Sequence, residues 1–177
     1  MTTSTTPDPE YSMQAGARTA QENLLLSNTG PAAYAQRADR PDLTVHGEPK
    51  VVPMRVAKNF YVEPRDPDPR GMTVVGADEV VGGTVVDLWV DRSEPQVRYL
   101  EIGVDGSGRT ALVPITACKV NARRGRVMVN AILGSQFGAV PPTASTEQVT
   151  LLEEDRIMAY FAGGFVYATP RRARPLL

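Results

Sequence analysis

The chain is poor in the residues that build disulfides, metal centres and catalytic triads. It has one cysteine, Cys118, and one histidine, His46. A lone cysteine forms no internal disulfide, which points to a reducing compartment. Cys118 also sits in an apolar run, where an inert buried thiol is the ordinary case. One cysteine and one histidine do not supply the ligand spacing of a zinc site, and one histidine without a partner defines no Ser-His-Asp set. Charge is balanced: 19 Lys and Arg against 20 Asp and Glu leave −1. That is not the strongly basic balance of a general nucleic-acid binder, so no nucleic-acid partner is expected. Long apolar runs are missing as well. A membrane helix needs about 20 such residues, and the longest candidates, around Leu24–Leu26 and Val85–Val90, are far shorter. The start, MTTSTTPDPEYS, has neither the basic nor the apolar region of a secretory signal. Gly103, Gly106 and Gly108 fall in a hairpin pattern and precede no helix, so they read as a turn, not a phosphate loop. No catalytic constellation remains, and the chain reads as a non-enzyme.

What is present is a succession of short strands. Residues 1–40 are polar, rich in Thr, Pro, Ala and Gln, and cannot bury enough apolar surface to order themselves. They are expected to be extended and ordered only on a partner, with a marginal helix over Gln14–Leu26. Residues 41–177 are expected to form the folded domain. Val51-Val52 and Asn59–Val62 read as short strands, and Glu63–Arg70 (EPRDPDPR) as a stiff polyproline-like linker. Met72–Val75 and Glu79–Val90 follow, with a bulge at Gly82-Gly83. Two hairpins come next: Val97–Val104 with Arg109–Ile115, and Ala117–Asn121 with Arg126–Asn130. Ile132–Phe137 reads as a helical turn and Gln148–Leu152 as a last strand. Glu153–Ala162 is the best helix, stopped by Gly163-Gly164, with Phe165–Tyr167 extended again. Closely spaced strands with turn signals give a mainly β fold, a small antiparallel barrel with a short C-terminal helix.

The centre of this pattern is Gly82–Ile102, GGTVVDLWVDRSEPQVRYLEI. It is two strands joined by a charged turn, Asp91-Arg92-Ser93-Glu94-Pro95, with Arg98 just beyond. On the residues alone, Asp91 and Glu94 are solvated turn carboxylates and Arg98 is an ion-pair partner worth little. Together with DPRGMTVVGAD upstream and TLLEEDRIMAYFAGGFVYATP downstream, however, this stretch resembles the cytoplasmic PRC-barrel domain of the photosynthetic reaction-centre H subunit. The resemblance covers roughly residues 30–177.

That resemblance implies a non-catalytic subunit capping the cytoplasmic face of the photosynthetic membrane as a peripheral protein. It would stabilise the complex and conduct protons to the secondary quinone. The implied partners are the L and M membrane subunits, with antenna subunits and an anionic lipid surface as further neighbours. Bacteriochlorophyll, bacteriopheophytin, quinone and non-haem iron would be held by those partners, and no cofactor by this chain. Family members usually begin with a transmembrane helix. None is seen in this sequence, so the expectation is a form lacking it, with a separate anchor chain or docking alone in its place.

By resemblance, Asp91, Glu94 and Arg98 match positions lining the proton route, and His46 a surface position where protons come in. Some members have an acid two positions before that histidine and a second histidine two after; here those are Thr44 and Glu48. Glu48 still carries protons, whereas Thr44 does not. Glu154, in LLEED, matches a further family motif, although a plain helix-start role fits it equally well. Arg123, Arg124 and Arg126, and Arg171, Arg172 and Arg174, are candidates for lipid head groups. Phe60, Tyr61 and Phe165 are candidates for docking. A second reading of the same fold is a soluble PRC-barrel adaptor that binds a ribosomal protein in ribosome maturation.

Overall fold

The computed structural model describes residues 24–172. Its backbone element is β3 (Val81–Asp91), an eleven-residue strand. Val85 and Asp87 face inward while Thr84 and Val86 face solvent, the period-two pattern of a half-covered strand. From Asp87 onward every residue is buried, as in a strand covered on both faces.

Antiparallel β4 (Gln96–Val104) pairs along one edge of β3, and β5 (Thr110–Pro114) pairs with β4. The other edge is shared. β2 (Thr73–Val75) pairs with the start of β3, and β1 (Val51–Pro53) with its end, opposite Trp89, Val90 and Asp91. β7 (Arg126–Val129) runs parallel to β2, the one pairing that is not antiparallel, and β6 (Cys118–Asn121) closes the order. Both expected hairpins are present. The expected bulge is at Gly82: Val74 pairs with Gly83 and Val75 with Val81, leaving Gly82 over. Phe137 lies against this glycine so closely that a Cβ there would come 2.1 Å from the ring.

The strands enclose a core of Val52, Val74, Leu88, Trp89, Tyr99, Leu100, Ile102 and Val113, closed by Ile157, Tyr160 and Phe161. These last three come from α1 (Leu151–Tyr167). No helix among the described residues is long and apolar enough to cross a membrane.

Four local expectations change. Asn59–Val62 is not a strand: Phe60 N–H bonds back to the Ala57 carbonyl in a turn. Within EPRDPDPR a second turn, Asp66 N–H to Glu63 O, bends the expected rod. Gln148–Leu152 is not a strand either. Thr150 accepts from the Glu153 N–H, and Glu153 accepts from the Thr150 N–H, so a capping box starts a helix there. Thr150 keeps only an isolated bridge to Pro41.

Finally, α1 runs through Gly163-Gly164 to Tyr167, where an end and a return to extended chain were expected. The glycines are packing seats: a Cβ would come 2.8 Å from Ala32 at Gly163 and 2.6 Å from the Ala131 carbonyl at Gly164. Ala32 is buried in this way, Leu25 is buried as well, and Leu151 and Leu152 donate to the carbonyls of Arg40 and Ala38. Residues 24–40, expected to wait for a partner, therefore pack on the chain's own helix. Most of the expected Gln14–Leu26 helix lies outside the described residues; Leu24 and Leu25 are helical.

Candidate functional site

Asp91 ends β3 and is 0 % exposed. Its Oδ1 accepts the backbone N–H groups of Ser93 (2.9 Å) and Glu94 (3.1 Å), which folds the charged turn back onto the strand. Its Oδ2 makes no hydrogen bond. Two cations face it instead, Lys50 Nζ and Arg98 Nη1, each at 3.6 Å. Lys50 is there because β1 pairs Val51 with Asp91, which sets the preceding lysine beside the strand end. Arg98 is there because β4 is bulged. Trp89 pairs with Tyr99 and Val90 with Val97, so Arg98 is the unpaired residue, and a bulge re-aims the side chain it carries.

The chain of charges continues inward. Arg98 Nη2 lies 3.9 Å from Glu154 Oε1, and the Tyr99 hydroxyl donates to the same oxygen at 2.8 Å. Glu154 stands in the first turn of α1, but Glu153 makes the cap, which leaves Glu154 to face the barrel. Burial pushes the Glu154 carboxyl above its ordinary value, against the opposing pull of the Tyr99 hydrogen bond and the Arg98 cation. The Tyr99 hydroxyl is pushed far up by its own burial and by the Glu154 carboxylate, so it acts as a proton-bearing donor.

This has a measurable consequence. As pH rises, the unfolded chain releases the Glu154 proton first, so stability falls between the ordinary value, 4.5, and the raised folded one. Glu154→Gln removes that fall. In urea titrations across this window, the variant should gain on the wild type by about 1.4 kcal/mol for each pH unit the window spans. A gap independent of pH would contradict the assignment.

The outer residues form the exposed end. His46 and Glu48 lie exposed on a turn held by Thr44, whose hydroxyl accepts the N–H groups of both, each at 3.3 Å. Glu48 pairs with Arg92 at 3.4 Å, and the Arg92 guanidinium also donates to the Pro49 carbonyl. Glu94 is exposed and accepts from Gln96 at 3.4 Å. Asp91, Arg98 and Glu154 are thus joined by direct ion pairs. Glu94 adjoins them through the Asp91 turn, while Glu48, paired with Arg92, and His46 stand apart on the neighbouring turn that precedes Lys50. Lys50 and Tyr99 were not legible beforehand: neither falls in a charged cluster, and Lys50 is brought in by strand pairing while Tyr99 enters through the packing of α1 on β4.

Other candidates separate. Arg172 donates to the carbonyls of Asn130, Ala131 and Gly164, so it ties the tail to the fold and is not free for a lipid. Arg174 lies outside the described residues. Arg123 and Arg124 are exposed, whereas Arg126 pairs with Glu79 at 3.4 Å. Phe60 packs on the core, while Tyr61 and Phe165 are exposed. Burial pushes the Cys118 thiol up to about 12, consistent with an inert sulfur. Among the described residues, no group of three or more His, Cys, Asp or Glu is placed to hold a metal.

A second buried network was not anticipated. Asp87 and Glu101 face each other across β3 and β4, and both carboxylates share Arg55 Nη1, at 3.0 and 2.6 Å. Arg55 also donates to the Thr146 carbonyl, and Trp89 Nε1 donates to Glu101 at 2.9 Å.

Comparison with known families places two models along the chain. One, the photosynthetic reaction centre H-chain N-terminal region, matches residues 8–56; the other, the PRC-barrel domain, matches residues 62–136. His46, Glu48, Lys50 and Arg55 fall in the first, and Asp87, Asp91, Glu94, Arg98 and Glu101 in the second. Both ion networks therefore join the two matched regions. Carrying these regions in this order, the chain is an H-subunit-like PRC-barrel protein, with the family-level role of a non-catalytic subunit of the photosynthetic reaction centre.

Proposed function

We propose that this protein caps the cytoplasmic face of a photosynthetic reaction centre, against its L and M subunits, and conducts protons from the cytoplasm to the secondary quinone. The observation that supports this reading is the run of ionisable groups from Lys50 and Asp91 to Arg98, Glu154 and Tyr99, with exposed His46 and Glu48 on the turn just before Lys50. Quinone reduction consumes protons inside membrane subunits, away from water. A relay there needs groups with two accessible protonation states held in a continuous line.

The residues divide by chemistry. His46, Glu48 and Glu94, exposed, collect protons from solvent. Glu154, whose burial favours its neutral form, holds a proton closer to the working pH than an ordinary carboxylate does. Arg98 cannot pass protons, since a guanidinium stays charged. With Lys50 it holds Asp91 and Glu154 in register. Bacteriochlorophyll, bacteriopheophytin, quinone and non-haem iron belong to the partner subunits, which supply the electron chemistry. Antenna subunits and anionic lipid facing Arg123 and Arg124 complete the assembly.

The adaptor reading is weaker because nothing in it accounts for the H-chain match over residues 8–56. The test is purification of the tagged full chain from photosynthetically grown cells. Recovery with bacteriochlorophyll-containing membrane subunits is the expected result, identified by the mass of the intact complex. Recovery with ribosomal particles alone would overturn it.

A further inference from the structure

Two consecutive residues of β4 reach the same carboxylate oxygen. Arg98 Nη2 lies 3.9 Å from Glu154 Oε1, and the Tyr99 hydroxyl donates to that oxygen at 2.8 Å. Neighbours on a regular strand point to opposite faces. The bulge between Val97 and Tyr99 breaks that alternation and sends both side chains towards the start of α1.

The two groups are not equivalent. Arg98 is 41 % exposed and divides itself between Asp91 at 3.6 Å and Glu154 at 3.9 Å, both longer than a hydrogen bond. Tyr99 is 2 % exposed, and its backbone is paired on both sides, with Trp89 of β3 and Pro114 of β5, so its hydroxyl is fixed in place. Among the described residues it makes the only hydrogen bond to the Glu154 carboxylate, whose side chain is 12 % exposed.

Resting on the relay reading above, we propose that Tyr99 is a positioning residue of that relay: it pins Glu154 Oε1, so that the travelling proton is taken up on, and released from, Oε2. The tyrosine keeps its own proton, because burial and the adjacent carboxylate hold its hydroxyl in the neutral form. One proton arrives at Oε2 and one leaves from it, while Arg98 leans towards whichever of Asp91 and Glu154 is charged. Burial favours the neutral Glu154 acid, and the Tyr99 hydrogen bond is the largest influence opposing it. Arg98 from β4 and Arg37 from the N-terminal segment also favour the carboxylate, whereas Asp42 disfavours it. Arg37 is shared with Asp155 of α1 at 3.5 Å, so its pull on Glu154 is divided.

The test is carboxyl-carbon NMR on the full chain, joined to proton uptake in the assembled reaction centre. Tyr99→Phe keeps the ring and removes only the hydroxyl. The Glu154 midpoint should then rise by about one pH unit, the size expected for a hydrogen bond to a charged acceptor. Tyr160→Phe is the control: its hydroxyl is equally buried but donates to the Gln136 carbonyl, so the Glu154 midpoint should stay where it is. In the wild type, the ring carbon bearing the Tyr99 hydroxyl should titrate with Glu154, and Glu154→Gln should abolish that titration. In the complex, the pH profile of flash-induced proton uptake should move up in Tyr99→Phe by the same amount. An unmoved Glu154 midpoint in Tyr99→Phe, an equal move in Tyr160→Phe, or a wild-type Tyr99 ring carbon blind to Glu154 overturns the proposal. A moved midpoint with an unmoved uptake profile overturns it too, and Glu154→Gln then shows how far the failure reaches. Slowed uptake in that variant leaves the relay standing without the tyrosine, whereas wild-type uptake removes the relay reading as well.

Discussion

Asp91→Asn combined with Glu94→Gln is expected to slow flash-induced proton uptake, and with it the second electron transfer to quinone, by about tenfold or more. That corresponds to ~1.4 kcal/mol on the barrier. The two substitutions act differently. Glu94 is exposed, and its loss removes one collecting group while leaving the fold untouched. Asparagine at 91 keeps an Oδ1 that can still accept from Ser93 and Glu94 N–H, so the turn persists. What disappears is the anion between Lys50 and Arg98. Those cations then repel, and Arg98 is drawn towards Glu154, its remaining carboxylate. The single variants should therefore separate: Glu94→Gln lowers the rate with little change in stability, and Asp91→Asn lowers both. Uptake and electron transfer at wild-type rates in the double variant would remove the relay.

Arg55→Met is expected to be the most damaging single change to stability. The guanidinium serves Asp87 and Glu101, which are buried side by side, and methionine leaves two carboxylates without their hydrogen-bonded cation, with only the more distant Arg70 charge near Asp87. Breaking such a pair from one side costs about 3–5 kcal/mol in a fully buried setting. Arg55 itself is 40 % exposed, so solvent screening reduces this to roughly 2–3 kcal/mol. Urea titration followed by Trp89 fluorescence reads the loss directly, because Glu101 is also the acceptor for its indole N–H. Acidification, which discharges the carboxylates, should close part of the gap. Arg70→Met is the comparison: its bonded pair with Asp68 is exposed on both sides and it meets Asp87 by charge attraction alone, so it should cost less than about 1 kcal/mol. Equal losses in the two variants would show that the buried network does not carry the difference.

Much of the barrel could be read from local pattern. The β3–β4 hairpin announces itself through a β-branched run, a charged turn and a return strand; the later hairpins announce themselves through glycine-rich and basic turns. The Gly82 bulge was legible because a strand rarely carries two glycines without a reason. The same rule misled at Gly163-Gly164. Glycine ends a helix when it supplies a left-handed residue, but it also permits close packing. Only the three-dimensional neighbours, Ala32 and Ala131, decide between the two. The strand expected at Gln148–Leu152 failed for a local reason that the sequence did contain: Thr150 and Glu153 have capping-box spacing.

The candidate site was only half legible. Asp91, Glu94, Arg98 and Glu154 stand in motifs that carried a resemblance. Lys50 has no such signal, because it reaches Asp91 through a pairing that spans 41 positions and that three residues of β1 create. The Arg55 network is hidden for the same reason, with partners 32 and 46 positions away. Asp87, the one charge within the apolar run Thr84–Val90, is half of a buried acid pair with Glu101.

The short strand β1 has one more implication. It comes from the stretch matching the H-chain N-terminal region, yet it completes the edge of β3, which belongs to the PRC barrel. A barrel cut free at residue 62 would bare that edge and strand Asp87, Asp91 and Glu101 without Arg55 or Lys50. The two regions are therefore not exchangeable cassettes. They are expected to melt as one cooperative transition in calorimetry, and any transplant of this barrel has to bring residues 49–57 along with it.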